Sequence, residues 1–444
     1  MKSKKMMIFG FVAALSMTTL FSGTALLAKN ETNTTSPTVE ASRLQALAKF
    51  TKVLGIVEKY NVDEITIEEM MDKALQGLMS NLDAHSTYLN SKSFDNLKIQ
   101  TDGEFGGLGI TVGMRDGALS VIAPIEGTPA DKAGLEAGDI ILRIDGESTL
   151  NMNIDDAVNI MRGKPKTPID LTVVRTGQME PLEFHIIRDI IKIQSVYAKQ
   201  IGDDILYIRV TSFDKKVVDD VKKELKKHMS HDKGIILDLR NNPGGLLDQA
   251  VGLVDLFVDN GEIVSQKGRD EAENRSYTAH KSATITNAPL VVLINEGSAS
   301  ASEIVSGALQ DHKRGVLVGQ KTFGKGSVQV ILPITESEAI KLTIARYYLP
   351  SGRTIQAVGV SPDIDVAAGE IKTRENKFSL KESDLKQHLE TELEKIDDNA
   401  TSLNEEMHYE DNNKTTITPE MMNKDIQLKV GVDIVKALTI VKGK

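Results

Sequence analysis

A continuous apolar run, Leu290–Ile294 (LVVLI), stands directly before the polar turn Asn295–Glu303 (NEGSASASE), and a helical pattern of apolar residues continues to Asp311. Five apolar residues without alternation indicate a strand that is buried on both faces. The same order of buried strand, turn and amphipathic helix occurs at Gly234–Leu239 (GIILDL) and Leu247–Phe257. Strands that alternate with helices in this way predict an α/β layer built on a central sheet.

Further elements extend this layer in both directions along the chain. Strands are predicted at Ile205–Val210 and Val316–Val318, and a helix at Val217–His228. The region Asp102–Ile193 has many glycines and short β-branched runs, with one helical stretch near Ile154–Met161, and this pattern predicts a small β-rich module.

The two ends of the chain have a different character. Apolar residues recur at helical spacing between Leu44 and Leu82, which predicts two amphipathic helices, and a last amphipathic helix is predicted near Asp425–Leu438. The segment Ile371–Asn413 is highly charged and is predicted to be helical or disordered. The predicted fold class is therefore a multidomain α/β protein, with an α/β core, an inserted β-rich domain and helical terminal segments.

Composition excludes several classes of function. A length of 444 residues predicts two to four domains. The formal net charge of −10 argues against a nucleic-acid partner that is held by phosphate contacts. Cysteine is absent, which excludes disulfides, thiolate nucleophiles and cysteine-based metal sites. Any catalysis must therefore use oxygen or nitrogen groups.

The first residues resemble an export signal. Lys2, Lys4 and Lys5 precede the apolar run Met6–Phe21, and small residues follow at Gly23–Ala25. The apolar run is shorter than the ~20 residues that span a bilayer, which favours a cleaved signal over a retained anchor. Without cysteine, such a protein suits a bacterial periplasm, with attachment to the inner membrane if the signal is retained.

Three serines in the turn, Ser298, Ser300 and Ser302, are candidates for a nucleophile. A turn between a buried strand and a helix can expose a hydroxyl while backbone N–H groups and the helix dipole point at the same place. Serine is also a favoured N-cap residue, so the motif alone leaves helix capping and catalysis equally open.

Lys325, in the glycine-rich stretch Lys321–Gln329 (KTFGKGSVQ), is the candidate base. Only about one unperturbed lysine in a thousand is neutral near pH 7.4, so burial must lower the pKa of a basic lysine by about three units, at a cost near 4 kcal/mol. A strand that starts here would place Lys325, Ser327 and Gln329 on one face, where Gln329 could hold the amine. An exposed turn lysine is the alternative.

The loop Asp238–Gly245 (DLRNNPGG) follows the other buried strand. An N–H group of Gly244 or Gly245 could pair with that of Ala301 to stabilise an oxyanion. A tight structural turn, in which Asp238 and Arg240 form an ion pair, is the other interpretation.

Four ordered motifs resemble the carboxyl-terminal processing, or tail-specific, proteases of the S41 serine peptidase type, and the resemblance extends from about Ala41 to Lys444. The motifs are Asp238–Gly245, Gly297–Glu303, Thr322–Gln329 and Ala345–Arg353 (ARYYLPSGR). The resemblance implies that Ser300 is the nucleophile, Lys325 the general base and Gln329 the residue that orients the lysine. One departure is Leu82–Ser86 (LDAHS), where the family usually has a proline in place of Ala84; no catalytic group is lost.

The stretch Phe105–Ile110 (FGGLGI) resembles the carboxylate-binding loop of PDZ domains. This resemblance implies that backbone N–H groups receive the free carboxyl-terminal tail of a protein or peptide substrate, while the tail adds a strand to the sheet. The predicted peptide-binding residues are Gly106, Gly107, Leu108, Gly109 and Ile110. A glycine-rich loop without a ligand is the alternative.

The function implied is that of an exported serine endopeptidase with a Ser/Lys dyad, and no metal or organic cofactor is implied. The predicted domains are a signal peptide (1–28), a linker (29–42), an amino-terminal helical segment (43–93), a PDZ domain (94–190), the protease core (191–368) and a carboxyl-terminal helical segment (369–444). An adaptor protein and a homodimer through the terminal helices are further expected partners, and packing of these helices onto the chain's own core is the alternative to the homodimer. The rivals are a non-catalytic PDZ scaffold and a trypsin-like PDZ protease, but no His/Asp/Ser set is patterned here.

Overall fold

The computed structural model describes residues 37–115, 117–228, 233–371 and 416–442. The chain divides into two compact units, Met1–Ala74 and Leu75–Lys444. Within the described ranges, no helix is both long enough and apolar enough to cross a membrane. The predicted export signal and residues 372–413 of the predicted charged segment lie outside these ranges.

Two helices begin the described chain, α1 (Pro37–Tyr60) and α2 (Ile67–Ser80), and they confirm the amino-terminal helical prediction. Helix α1 starts at Pro37, inside the stretch 29–42 that the sequence predicts as a linker, and the linker itself stays a prediction. Proline fits the first helical position, because the N–H group that it lacks would have no partner within the helix there. The negative charge of Glu40 in the first turn is favourable at the positive end of the helix dipole.

A short strand and a helix lead from α2 towards the β-rich module: β1 (Thr87–Leu89) and α3 (Ser91–Asp102). The side chain of Asn90 caps α3 by accepting from Ser93 N at 3.0 Å. Gly103 ends the helix with a φ of 66°, a left-handed conformation that glycine adopts without steric cost. The strand β2 (Glu104–Gly107) follows at once.

The predicted β-rich module is present as an antiparallel sheet with two helices. Its elements are β3 (Ile110–Arg115), β4 (Ala118–Pro124), α4 (Pro129–Ala133), β5 (Ile140–Ile144), β6 (Glu147–Ser148), α5 (Ile154–Met161), β7 (Pro168–Val174) and β8 (Leu182–Ile187). The strand order is β3, β4, β5, β7, β8, with β6 paired to β5. Side chains such as Leu119, Ile141 and Leu171 form a core of its own. Strand β3 stands at one end of this order, as an edge strand.

A two-stranded ribbon joins the module to the rest of its unit. Strand β9 (Asp189–Lys192) pairs antiparallel with β2, so both ends of the module meet at one place. Two ion pairs support the ribbon: Lys215 Nζ lies 2.6 Å from Asp102 Oδ1, and Lys216 contacts Glu104. The module is therefore tethered twice.

The α/β core follows, with bounds that agree closely with the predicted strands and helices. Its elements are β10 (Val196–Ile201), β11 (Ile205–Val210), α6 (Val217–His228), β12 (Gly234–Asp238), α7 (Leu247–Asp255), β13 (Asn260–Gly268), a 3-10 turn (Glu271–Glu273), β14 (Arg275–His280), β15 (Leu290–Ile294), α8 (Ala301–Asp311), β16 (Val316–Gly319), β17 (Ser327–Pro333), β18 (Ala339–Tyr348), β19 (Ile364–Asp365), α9 (Pro419–Asn423) and α10 (Ile426–Lys442).

The central sheet has the order β10, β11, β12, β15, β16, β19, and its strands are parallel from β11 to β19. Every residue of β12 and β15 is buried, as the continuous apolar runs predict. Helices α6, α7 and α8 cover one face, and α10 covers the other. Because neighbouring parallel strands end at the same edge, the loops after β12 and β15 meet there.

A second, antiparallel sheet has the order β1, β18, β13, β14, with β17 also paired to β18. Thr87 of β1 stands opposite Lys341 of β18. The residues directly before β1 therefore lie near β18, which also pairs with β17, the strand that follows Lys325.

The carboxyl-terminal helix corrects one expectation. Its apolar face was predicted to be available for a homodimer, but Leu428, Val432 and Val435 of α10 are buried against the central sheet. The fit is close, since a Cβ at Gly234 would come 2.1 Å from Val435 Cγ1. This helix is therefore part of the core of its own chain.

Candidate active site

The structure distinguishes the three serines of the turn. Ser298 Oγ donates to Leu239 O at 2.8 Å, Ser302 Oγ donates to Asn242 O at 2.9 Å, and both side chains are fully buried. Their hydroxyls therefore fasten the turn to the loop after β12. Ser300 is only half-buried and stands at the N-cap of α8.

Ser300 has an unusual backbone conformation, with φ 53° and ψ −110°. A non-glycine residue in such a region costs roughly 1–3 kcal/mol, and strain of this kind is concentrated at functional sites. An ordinary N-cap serine has an extended backbone and needs no such strain. The capping and catalytic interpretations are thus not exclusive, because Ser300 stands at the cap in a conformation that capping alone does not require.

Glu303 joins the serine turn to the lysine loop. One oxygen of this fully buried carboxylate, Oε2, accepts from the backbone N of Ser300 and from that of Lys325, each at 2.8 Å. The other oxygen accepts from Thr322 Oγ1 at 2.6 Å and Gly324 N at 2.7 Å. The main chains of the predicted nucleophile and the predicted base are therefore held on either side of a single atom.

The position of Lys325 lowers the pKa of its amine, the direction that a general base requires. Burial is the largest cause, and the positive charge of Lys341 adds to it. The carboxylates of Asp83 and Glu303 act in the opposite direction. The loop itself can take no larger residue beside the lysine, because a Cβ at Gly326 would come 2.5 Å from Gln356 N.

The loop after β12 lies against Ser300, as the oxyanion prediction requires. A Cβ at Gly244 would come 2.9 Å from Ser300 Cβ and 3.1 Å from Ala301 N. The N–H of Gly244 already donates to Asn242 Oδ1 at 2.9 Å. No hydrogen bond joins the N–H of Ala301 or Gly245 to another residue that the structure describes. Of the two predicted glycines, Gly245 has the free donor.

Arg240 fixes this loop to the segment that leads into α10. Its guanidinium contacts Asp238 at 2.6 Å and Asp425 at 2.7 Å, and Asp238 is fully buried. The predicted pair of Asp238 and Arg240 is therefore present. The third partner, Asp425, lies 185 residues further along the chain, and no local pattern in the sequence could indicate it.

Gln329 lies on β17, the strand that follows Lys325, and its amide is hydrogen-bonded to other side chains. Nε2 donates to Ser327 Oγ at 2.8 Å and to Thr343 Oγ1 at 3.3 Å. Among the described side chains, no hydrogen bond joins Gln329 to Lys325. Its predicted role in orienting the lysine stays a prediction.

No catalytic role is predicted for the stretch Leu82–Ser86, yet the structure places Asp83 and His85 of this stretch where their charges interact with Lys325. Asp83 accepts hydrogen bonds from Ser86, His85 and Thr343, which outweigh its partial burial and lower its pKa to about 2. Burial and the nearby charge of Lys325 lower the pKa of His85. The signal for this placement is the contact of Asp83 with Thr343, and a local sequence pattern cannot reveal it because the two residues are 260 positions apart.

The predicted tail-binding residues divide between two elements. Gly106 and Gly107 belong to β2 and pair with β9, whereas Leu108 and Gly109 form the turn into β3, which starts at Ile110. The carbonyl oxygens of Leu108 and Gly109 accept from Ala130 N and Ile125 N. Their N–H groups have no hydrogen bond to another described residue, which leaves two adjacent donors for an incoming carboxylate.

Comparisons with known proteins identify the families of the core and of the β-rich module. Residues 204–366 match the family described as "Peptidase family S41", and residues 120–175 match a PDZ domain. A carboxy-terminal-processing protease of Bartonella bacilliformis is 40% identical over 395 residues, which cover 87% of this chain and 88% of the relative. The carboxy-terminal processing protease CtpB of Bacillus subtilis is 31% identical over 85% of this chain and 83% of its own length. CtpA of the same organism is 34% identical over 71% and 69%.

Proposed function

The chain belongs to the carboxy-terminal processing proteases of peptidase family S41 and is a serine-type endopeptidase with a PDZ domain; from this premise we propose that Ser300 and Lys325 form its catalytic dyad. The observation that carries the proposal is that one oxygen of the Glu303 carboxylate, Oε2, accepts from the backbone N of both residues at 2.8 Å.

The reaction proceeds by acyl transfer. Lys325, when neutral, takes the proton of Ser300 as Oγ attacks the scissile carbonyl carbon. The N–H groups of Ala301 and Gly245 stabilise the oxyanion, and Lys325 returns the proton to the leaving amine. Water, activated by the amine of Lys325, then attacks the carbonyl carbon of the acyl-enzyme, which frees Ser300 and releases the acyl product as a carboxylic acid.

The PDZ domain supplies the substrate. A free carboxyl-terminal tail would place its carboxylate at the N–H groups of Leu108 and Gly109 and add a strand along the edge strand β3. The position of β3 at the end of the sheet supports this arrangement, since its outer side has no neighbouring strand in the described sheet order.

An active-site reagent tests the dyad. A fluorophosphonate probe is expected to label Ser300 in the wild type and to fail with Lys325→Ala, because the hydroxyl then has no base. Peptide mass mapping identifies the labelled serine. Labelling of another serine, or equal labelling of Lys325→Ala, would exclude the assignment; a chain that binds tails but is neither labelled nor active would be the non-catalytic scaffold.

Export to the periplasm is proposed from residues 1–28 alone. Fractionation of a bacterium that expresses the full chain is expected to release it with the periplasmic contents, with the inner membrane as its location if the signal is retained. A cytoplasmic, uncleaved chain would contradict this proposal. Pull-down from the same fraction tests for an adaptor.

Pairing of two chains is proposed through α1. Leu44 and Leu47 on this helix are 63% and 62% exposed, so an apolar surface is available for a second copy. Light scattering at micromolar concentration is expected to give a dimer mass, and Leu47→Glu is expected to lower it. A monomeric mass from a fully active preparation would contradict the proposal.

A further inference from the structure

A chain of hydrogen bonds runs from Asp83 to the strand that follows Lys325. Thr343 Oγ1 donates to Asp83 Oδ1 at 3.1 Å and accepts from Gln329 Nε2 at 3.3 Å. The same Nε2 donates to Ser327 Oγ at 2.8 Å. Asp83 and Thr343 are 260 residues apart in the sequence, and β18 brings them together.

The segment that contains Asp83 is firmly attached at this point. Oδ2 of Asp83 accepts from Ser86 Oγ at 2.6 Å, and Oδ1 accepts from the backbone N of His85 and Ser86 at 2.8 and 2.9 Å. Ser86 Oγ in turn accepts from Thr343 N at 3.1 Å. Thr343 is therefore bound to the segment through both its backbone and its side chain.

This chain has only one consistent direction of donation. An ionised carboxylate is an acceptor only, so the single hydroxyl proton of Thr343 is used on Asp83. The Thr343 oxygen must then accept from Gln329, which requires the amide –NH₂ group of Gln329, and not its carbonyl oxygen, to face Thr343. The carbonyl oxygen Oε1 is left on the other side as an acceptor.

We propose that Asp83 is a positioning residue for the catalytic base: through Thr343 it fixes the orientation of the Gln329 amide, so that Oε1 is the atom offered to the amine of Lys325. This inference rests on the proposed Ser/Lys dyad. An amide that rotated freely would offer its –NH₂ group half of the time, which cannot accept from an amine.

Asp83 also belongs to the set of charges around Lys325. Lys341 on β18 disfavours the protonated amine, while Asp83 before β1 and Glu303 on α8 favour it. His85, from the same segment as Asp83, faces Lys325 as well, and the charge of Lys325 lowers its pKa. Removing Asp83 or Lys341 must therefore move the titration of Lys325 in opposite directions.

The test uses full-length variants and measures kcat, KM and the pH dependence of peptide hydrolysis. Thr343→Val keeps the shape of the side chain and removes the hydroxyl, and we expect kcat to fall about tenfold with little change in KM. Thr343→Ser restores the hydroxyl and should recover most of the lost rate. Thr278→Val, at an exposed threonine of the same sheet, is the control for the substitution itself.

Charge variants provide a second measurement, the pH dependence of the rate. A loss of packing would not shift this dependence in opposite directions in the two variants. Asp83→Asn should lower kcat and move the rise of rate with pH to lower pH, because the protonated amine loses a favourable charge. Lys341→Met should move the same rise to higher pH. Shifts in one common direction, or none, would overturn the proposal.

These variants distinguish failure of the proposed dyad from failure of the positioning role of Asp83. If Lys325→Ala keeps its activity, the proposed dyad itself fails. If Lys325→Ala is inactive while Thr343→Val hydrolyses peptide at the wild-type rate, the dyad stands and the positioning role of Asp83 is wrong.

Discussion

The serine turn around Ser300 and the PDZ domain are attached to the rest of the chain by different kinds of contact. Glu303, which holds the serine turn to the lysine loop, is 0% exposed and accepts four hydrogen bonds. The ribbon of the PDZ domain is supported by ion pairs at the surface, and the side chains of Lys215 and Asp102 are 62% and 45% exposed. Exposed pairs contribute at most about 1 kcal/mol, whereas buried, fully bonded groups are costly to disrupt.

This difference separates two demands on the molecule. Acyl transfer needs its donors and base fixed in place, because small displacements of reacting groups reduce the rate strongly. Tail capture, as proposed for the PDZ domain, does not need the same precision, and a ribbon held by surface ion pairs can adjust at little cost. Substitutions should therefore have large effects in the core and graded effects in the PDZ domain.

The largest effect is expected from the dyad. Ser300→Ala and Lys325→Ala should each lower kcat by about 10⁴-fold or more, since the nucleophile and its base act as a unit. Circular dichroism should show an unchanged fold. Ser282→Ala and Lys321→Ala, at exposed positions, are the matched controls. Turnover within tenfold of the wild type by either folded dyad variant would refute the assignment.

Glu303→Gln should have the next largest effect, on both rate and stability. An amide –NH₂ group would face donors that now bind a carboxylate oxygen, so we expect kcat to fall about 10²-fold or more and the free energy of unfolding to fall by about 3 kcal/mol. Urea denaturation and steady-state kinetics measure the two changes. Glu296→Gln, exposed in the same turn, is the control; a similar loss there would point to the turn in general.

How far the sequence predicts this arrangement depends on the range of the interactions. The strands and helices around Ser300 are predictable because buried strands, glycine turns and amphipathic helices are local patterns. The contacts of Asp83 with Thr343 and of Arg240 with Asp425 are not, because each joins segments that only the completed fold brings together. Similarly, the pattern of α10 shows that one face is apolar, but not that this face covers the chain's own sheet.

The pH dependence of the rate follows from the lowered pKa of Lys325. The base is active only when neutral, so kcat should rise about tenfold per pH unit below the pKa of the amine and reach a plateau above it. The plateau should begin below pH 10.5, the ordinary pKa of a lysine amine. Stopped assays across neutral and alkaline pH measure the profile, with and without a chelator, which should have no effect. A rate that falls through the same range would contradict a lysine base.

The smallest and most graded effect is expected in the tail-binding turn. Gly109 has a φ of 79°, and a Cβ there would come 2.4 Å from Thr128 Cβ. Gly109→Ala should therefore displace the two N–H groups that we assign to the tail carboxylate, while the distant hydrogen bonds of Glu303 stay intact. Hydrogen bonds to a charged group contribute about 1.5–3 kcal/mol, so kcat/KM for a substrate with a free carboxylate should fall about tenfold or more.

An amidated form of the same substrate makes this measurement specific. The wild type should cleave the amidated peptide more slowly than the free acid, and Gly109→Ala should cleave both at the lower rate. Gly117→Ala is a matched control, because Gly117 has nearly the same φ, 80°, with no atom within 4 Å of the added methyl group. Its preference for the free acid should persist. Equal cleavage of both peptides by the wild type would mean that this turn does not recognise the terminal carboxylate.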